Sequence, residues 1–394
     1  MSGFRMVLAA GAAGLALMSS AAGQPSVSAS ADALSAAGDF GSAALAYESA
    51  LKASPKDAGA LAGLARVRLY ENRVGEAIAL AQQALALAPD SPVARATLTV
   101  AQQRKAAFAE DRYQVTGLAA EAVIPFAATD PLPIVQVSVG GRQAEFLIDT
   151  GAPDVLVSVD LVSQLGLHPQ AAGEGVFAGG KRAPVERTVV PELQIGSVRI
   201  ANAPAGVMRG GLASPGHKID GVIGTGLLMH FAPTLDYCAG RLVLRPRGGS
   251  AEVERAARRS GANVVPIWLA GDHFVLARAR LKGGSERLFL VDTGLAGGGL
   301  TASKEVLDEA GVAIDPSAAR TGMGGGGPVT FIPFRAGATL GSMTVEDVPG
   351  SYMPGGDATG IFPFKTAGVI SHMFFRHSRL TFDFEAMRLI TQAC

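Results

Sequence analysis

The chain has 394 residues, with 34 lysine and arginine residues against 34 aspartate and glutamate residues, so its formal net charge at pH 7 is zero. This balance disfavours a nucleic-acid-binding protein, which would carry an excess of positive charge. Apolar residues make up 48% of the chain and charged residues only 17%, which argues against disorder along the whole length. The 50 glycines favour a structure with many turns, and the length predicts about two to three domains.

Residues 1–22 have the three-part pattern of an export signal. Arg5 supplies the positive charge, Met6–Met18 form an apolar run, and small residues follow at positions 19–22. The run is shorter than the ~20 residues that cross a bilayer, and no later stretch is long and apolar enough for a second membrane segment. We therefore expect export to the periplasm or the medium, with no membrane anchor after the signal is removed.

The chain has two cysteines, Cys238 and Cys394. An exported protein meets an oxidising compartment, in which the two could form a disulfide. The sequence does not fix their distance in space, so pairing and two separate thiols both remain open.

Residues 31–110 are rich in alanine and leucine and contain a repeated segment. The two copies end at Pro55 and Pro89, which are 34 residues apart. The positions that keep the same spacing are Ala43 and Ala77, Ala50 and Ala84, and Leu51 and Leu85. This period resembles that of the tetratricopeptide repeat, a helix-turn-helix unit. A further helix is expected over Val93–Phe108.

About three such repeats are normally needed for independent stability, so we expect this short array to pack against the next domain or a partner. Its role is either to present a protein-binding face or to act as a plain spacer. Residues 111–132 lose the helical periodicity and contain several prolines, which predicts a linker.

From residue 133 onward, short alternating runs broken by glycine and proline predict strands. Residues 146–151 read FLIDTG and residues 289–294 read FLVDTG, at an offset of 143. Each copy is followed by a predicted helix, near 159–165 and 303–310, and by a glycine-rich hairpin. Each then ends with an apolar turn that leads into a strand hairpin. Four features in the same order indicate an internal duplication, with lobes at 133–247 and 262–394.

An aspartate directly after three large apolar residues is unusual, because that strand should be buried. A lone buried carboxylate would cost several kcal/mol or take up a proton. Two pseudo-symmetric carboxylates, Asp149 and Asp292, could instead share a proton and a water across the lobe interface. Such a pair can activate water and protonate a leaving amine. A single triplet would more readily be a structural aspartate that caps a turn, whereas the pair favours catalysis.

The doubled Asp-Thr-Gly triplet after an apolar strand, with paired glycine-rich hairpins, resembles the aspartic proteases. The resemblance covers residues 133–394, and the sequence DTGA of Asp149–Ala152 is more similar to retropepsins than to pepsin-like enzymes. It implies that Asp149 and Asp292 form the catalytic pair. The residues expected to support the two loops are Thr150, Gly151, Thr293, Gly294 and Gly224. The residues expected in flaps that close over an extended peptide are Gly179, Gly180, Gly324, Gly325, Gly326 and Gly327.

Three features depart from the family pattern. Ala152 and Leu295 stand where pepsin-like enzymes commonly carry a hydroxyl donor, and its loss should raise the lower pKa of the pair. Ser371 stands where the first lobe has Gly224. The stretch GLAGGG at 294–299 is unusually rich in glycine behind Asp292.

The sequence therefore predicts N-terminal helical repeats followed by a bilobal all-β acid-protease fold. The expected function is that of an exported aspartic endopeptidase with a polypeptide substrate, whose repeats recruit the substrate or a protein partner. We expect neither a metal nor a cofactor, and no nucleic-acid partner. The alternative is a catalytically inactive module of the cell envelope that keeps the fold as a peptide clamp or scaffold.

Overall fold

The computed structural model describes residues 27–177, 181–210, 212–324, 327–355 and 361–394. The predicted signal segment, residues 1–22, lies outside this part of the chain. None of the helices within the described ranges is long and apolar enough to cross a membrane.

From residue 27, where the described part of the chain begins, five helices precede the first strand. They are α1 (Val27–Ala36), α2 (Phe40–Ala53), α3 (Ala58–Tyr70), α4 (Val74–Leu87) and α5 (Pro92–Ala106). Helices α2 and α4 start 34 residues apart, and so do α3 and α5, as the repeated sequence predicts. Gly63 of α3 lies directly against the Tyr47 ring, where a Cβ atom would collide with it. The small residue therefore sets the close approach of α2 and α3.

The helical array packs on the second β lobe. Phe40 and Tyr70 form an aromatic cluster with Trp268 and Phe364, with Phe40 at ring-centroid distances of 4.8 to 5.7 Å from the other three. All four rings are buried or partly buried in one apolar cluster that includes residues of both parts. The helical array therefore packs against the second lobe, as expected for an array too short to be stable alone.

The first lobe contains thirteen strands and two short helices in the described ranges. The strands are β1 (Gln114–Thr116), β2 (Ala122–Ala128), β3 (Ile134–Val139), β4 (Arg142–Ile148), β5 (Val155–Ser158), β6 (Gln170–Phe177), β7 (Lys181–Ile195), β8 (Val198–Met208), β9 (Leu212–Ser214), β10 (His217–Ile219), β11 (Gly221–Ile223), β12 (Phe231–Asp236) and β13 (Arg241–Pro246). The helices are α6 (Val159–Gln164) and α7 (Thr225–Leu228).

The second lobe repeats this plan after helix α8 (Ser250–Arg259). Its strands are β14 (Asn263–Ala270), β15 (Phe274–Leu281), β16 (Arg287–Val291), β17 (Leu300–Ala302), β18 (Arg320–Gly324), β19 (Gly327–Leu340), β20 (Met343–Tyr352), β21 (Gly368–Ile370), β22 (Ser378–Asp383) and β23 (Arg388–Ala393). Its helices are α9 (Lys304–Glu309) and α10 (His372–Phe375). Both α6 and α9 lie where the duplication predicts them.

The segment 111–132 is not a plain linker, because it contains β1 and β2. Strand β1 pairs with β8, and β2 pairs with β13 and then with β3. Ala122 and Ile124 are buried while Val123 is 47% exposed, so β2 has the alternation of a strand. Pro125 is tolerated because β2 is the edge strand of its sheet with β13. The prolines in this segment led to the prediction of a linker in place of a strand.

A six-stranded antiparallel sheet joins the two lobes, in the order β2-β13-β12-β22-β23-β14. At its centre β12 of the first lobe pairs with β22 of the second, where the Thr234 and Thr381 hydroxyls lie 2.7 Å apart. A disulfide between Cys238, after β12, and Cys394, after β23, closes one end of this sheet. The two halves are therefore fixed to each other by both hydrogen bonds and a covalent link.

Candidate active site

Each lobe presents an aspartate at the end of a buried central strand. Asp149 follows β4, which runs parallel to β11, and Asp292 follows β16, which runs parallel to β21. The Asp149 N–H donates to Ile223 O and the Asp292 N–H donates to Ile370 O, both at 3.0 Å. The apolar residues before each aspartate are buried, so the core of each lobe fixes the place where its loop begins.

Thr150 and Thr293 link the two loops across the lobe boundary. The Thr150 hydroxyl donates to Val291 O, and the Thr293 hydroxyl donates to Ile148 O, each at 2.8 Å. Each hydroxyl also accepts the backbone N–H of the other threonine at 3.2 Å. Both side chains are fully buried. The four hydrogen bonds obey the same two-fold relation as the duplicated sequence.

This symmetry brings the carboxyl groups of Asp149 and Asp292 close enough to interact directly with each other. The Gly151 N–H donates to Asp149 Oδ1 and the Gly294 N–H donates to Asp292 Oδ1, each at 2.7 Å. A Cβ atom on Gly151 would lie 2.5 Å from Asp292 Oδ2, and one on Gly294 would collide with Asp149. Glycine is therefore required at both positions because each backbone touches the opposite carboxyl group.

Burial raises the pKa of Asp149 well above its usual range. The negative charge of Asp292 and the hydrogen bond with it act in the same direction, while the N–H groups of Gly151 and Ala152 oppose the shift. Both aspartates remain partly accessible to solvent. The pair is thus able to hold one proton between two carboxyl groups at a surface that water reaches.

A β-hairpin from each lobe corresponds to the predicted flaps. Strands β6 and β7 form the first hairpin, and β18 and β19 form the second. Gly324 and Gly327 are paired at the end of the second hairpin, whereas Gly179, Gly180, Gly325 and Gly326 lie outside the described residues. Lys181 of the first hairpin and Pro328–Thr330 of the second line one cavity of about 210 Å³. The two hairpins therefore come next to each other.

The departures from the family pattern have local explanations. A Cβ atom on Gly224 would lie 2.6 Å from Ala152 O, so the first loop leaves no space for a side chain there. In the second lobe the Ser371 Oγ accepts the Leu295 N–H at 3.3 Å, and the Gly297 N–H donates to Pro131 O at 3.0 Å. The glycine-rich stretch 294–299 is thus fixed by hydrogen bonds to Ser371 and to Pro131.

One polar residue beside the pair was not expected from the sequence. His273, in the turn between β14 and β15, is 7% exposed and its Nε2 lies 3.0 Å from Gly151 O. The two residues are 122 positions apart and belong to different lobes. The lone histidine had no motif around it, so only the interlobe geometry reveals the contact.

Comparison with known families agrees with this architecture. Residues 135–227 match the family model described as aspartyl protease, and residues 34–100 match a model described as tetratricopeptide repeat. The chain is thus similar to tetratricopeptide repeats in its helical part and to aspartyl proteases over residues 135–227, each match covering less than half of its length. The fold class that the sequence predicted, helical repeats followed by a β-rich protease fold, is confirmed.

Two solved structures are similar to this chain. The aspartic proteinase from Irpex lacteus is 13% identical with a TM-score of 0.42, covering 70% of this chain and 97% of that one. A retropepsin-like aspartic protease from Rickettsia conorii is 20% identical with a TM-score of 0.27, covering 34% of this chain and 92% of that one. No curated protein matches the sequence significantly.

Proposed function

We propose that the protein is an aspartic endopeptidase that hydrolyses peptide bonds with a water held between Asp149 and Asp292. The observation that carries the proposal is the close approach of two carboxyl groups, one from each lobe, in loops cross-linked by Thr150 and Thr293. A carboxyl pair in this setting is costly, because each charge opposes the other and both are partly desolvated. An electrostatically unfavourable pair of this kind is typical of a functional site.

In the proposed reaction Asp149 starts with the shared proton, in line with its raised pKa, and Asp292 starts as the carboxylate. Asp292 takes a proton from the water as the water oxygen bonds to the carbonyl carbon, and Asp149 gives its proton to the carbonyl oxygen. The resulting gem-diol collapses when Asp292 protonates the nitrogen, the C–N bond breaks and one hydroxyl proton returns to Asp149. The pair ends in its starting state, with a new acid and a new amine.

The two hairpins supply the substrate-binding part of the proposal. An extended peptide between β6-β7 and β18-β19 could add as a strand and bond to flap backbone. Closure over the peptide would exclude water from the reacting carbonyl. Lys181 and Pro328, one from each hairpin, line the cavity at which the hairpins meet, which supports a shared substrate contact.

The proposal also includes export of the protein and recruitment of a substrate or partner by the helical array. The signal-like segment at residues 1–22 and the Cys238–Cys394 disulfide are both typical of a protein that functions in the periplasm or the medium. One side of the helical array is covered by the second lobe, and its other surfaces would recruit the polypeptide substrate or a protein partner.

The test is digestion of a proteome-derived peptide library by the mature protein, with Asp149→Asn and Asp292→Asn as matched variants. We expect wild-type cleavage that each variant abolishes and that pepstatin reduces. Peptide binding without any cleavage by the wild type would instead identify an inactive peptide clamp. Sequencing the N-terminus of the expressed protein in each cell fraction tests export separately.

A further inference from the structure

A continuous series of contacts leads from the helical array to the Asp149 loop. It starts at Arg104 in α5, which is 3% exposed. The Arg104 guanidinium donates to Leu69 O within the array at 2.6 Å. It also donates to Leu269 O of β14 at 3.4 Å and to Gly271 O, in the turn between β14 and β15, at 2.6 Å. This buried cation therefore fixes the turn to the array.

The same turn carries Asp272 and His273. The His273 Nδ1 lies 2.5 Å from Asp272 Oδ1, and its Nε2 lies 3.0 Å from Gly151 O. Each ring nitrogen therefore contacts one oxygen, so the imidazole links the Asp272 carboxyl group to the Gly151 carbonyl. The Phe274 ring lies against the imidazole at a centroid distance of 3.8 Å and restricts its movement.

Gly151 is the residue through which this contact reaches the carboxyl pair. Its N–H donates to Asp149 Oδ1, and its Cα faces Asp292 so closely that no side chain would fit. The corresponding turn of the first lobe, between β2 and β3, contacts the second loop through a carbonyl oxygen, that of Pro131, instead of an imidazole. The contact of His273 therefore breaks the two-fold symmetry of the site.

We propose that His273 is a positioning residue for the Asp149 loop, held in place by the helical array through Arg104. The inference rests on the proposed function, since it assigns His273 a part in the same reaction. In this account the array belongs to the framework of the active site, in addition to any part in recruitment. His273 acts through the Gly151 carbonyl and does not touch the substrate.

Charged and titratable groups surround His273 from several elements. Asp272 contacts it from its own turn and Asp154 faces it from the loop before β5, while Arg104 of α5 faces Asp272. Arg187 of β7 lies 3.1 Å from Asp154 Oδ2, and the Tyr113 hydroxyl donates to Asp154 Oδ1 at 3.0 Å.

The pKa values of these neighbours agree with that arrangement. Burial would raise the pKa of Asp272, but the hydrogen bond and the charge of His273 outweigh it, and the pKa lies below its usual range. Burial lowers the pKa of Arg104 to about 10, so the guanidinium keeps its charge at neutral pH.

The test compares His273→Ala and His273→Gln with the control His217→Gln. His217 is also paired with a carboxylate, Glu145, at 3.0 Å, but it has no described hydrogen bond to either aspartate loop. At equal concentrations of folded protein, we expect His273→Ala to lower kcat about tenfold with little change in KM, because the loop is displaced and substrate contacts remain. We expect His273→Gln, whose side-chain amide can still donate to the Gly151 carbonyl, to keep more of kcat than His273→Ala, and His217→Gln to leave kcat unchanged.

Arg104 is tested by a mild variant, because removing a buried cation could prevent folding. Arg104→Lys keeps the charge but loses the forked hydrogen bonds. If Arg104 acts through His273, the effects of Arg104→Lys and His273→Ala on kcat will not be additive in the double variant. Effects that add, or an equal loss of kcat in His273→Gln and His273→Ala, would overturn the proposal.

A second readout is independent of turnover. The carboxyl carbons of Asp149 and Asp292 can be titrated by NMR in the wild type and in His273→Ala. Displacement of the Gly151 N–H, which donates to Asp149 Oδ1 and lowers its pKa, should raise the titration midpoint of the pair. An unchanged midpoint would overturn the positioning role, even if the wild type cleaves no peptide and the proposed function has failed.

Discussion

Thr150 and Thr293 hold the two lobes together by reciprocal hydrogen bonds. Each hydroxyl donates to the carbonyl oxygen of the residue before the opposite aspartate and accepts the N–H of the opposite threonine. Because both side chains are buried, every partner depends on the other lobe for its hydrogen bond. The distance between the two carboxyl groups is thereby set by contacts that only the folded bilobal chain can make.

Thr150→Val should destabilise the protein and reduce its activity. Valine has a similar shape but leaves the Val291 carbonyl and the Thr293 N–H without their partner, at a cost of about 1–3 kcal/mol for each buried group. Thr150→Ser keeps the hydroxyl and serves as the control. The free energy of unfolding from urea titrations is the measurement. Equal stability of the valine and serine variants would contradict this role of the hydroxyl.

Asp149→Asn should stabilise the protein at neutral pH. The pKa of Asp149 is raised in the folded state, so the wild type loses stability as pH rises from the ordinary value of 3.8 towards the folded value. Asparagine does not ionise, so the stability difference in favour of the variant should be near zero at acidic pH and grow as pH rises. Denaturant titrations across this pH range test the sign. An advantage that shrinks with rising pH is inconsistent with a raised pKa.

Trp268 is the only tryptophan of the chain and reports on the contact between the helical array and the second lobe. Phe40→Ala should create a cavity beside it, cost about 3–5 kcal/mol and shift its fluorescence emission to longer wavelength. Leu45→Ala is the control, because Leu45 lies on the same helix and is 69% exposed. If both variants leave the emission unchanged, the array is not seated on the lobe as described.

Removal of the disulfide should loosen the connection between the lobes. The double variant Cys238→Ala and Cys394→Ala opens a link between residues 156 positions apart, which typically costs about 2–4 kcal/mol. A lower urea midpoint for the double variant, and for the reduced wild type, is the expected result. Unchanged midpoints under both conditions would show that the bond does not stabilise the native state.

Local periodicity was sufficient to predict several features of the fold. The prolines at positions 55 and 89 revealed the helical repeat, and the matching triplets at Asp149 and Asp292 located two related loops. These features are encoded in short segments, and a duplication displays them twice. The predicted roles of the two aspartates stay a proposal until activity is measured.

Features that depend on contacts between residues far apart in the chain were not evident from the sequence. Strand β2 is short and contains Pro125, and its partner β13 lies more than a hundred residues later. The contact of His273 with Gly151 requires the two lobes to be docked, and nothing in the residues beside His273 indicates it. Tertiary contacts of this kind leave no periodic pattern in the sequence.

The most direct test of the shared-water mechanism is the cleavage rate of one identified peptide by the wild type, Asp149→Asn, Asp292→Asn and the double variant. If the two carboxyl groups act as one unit, each single variant will lose nearly all activity and the double variant will lose no more. Substantial activity in either single variant, with a further additive loss in the double variant, would contradict the account.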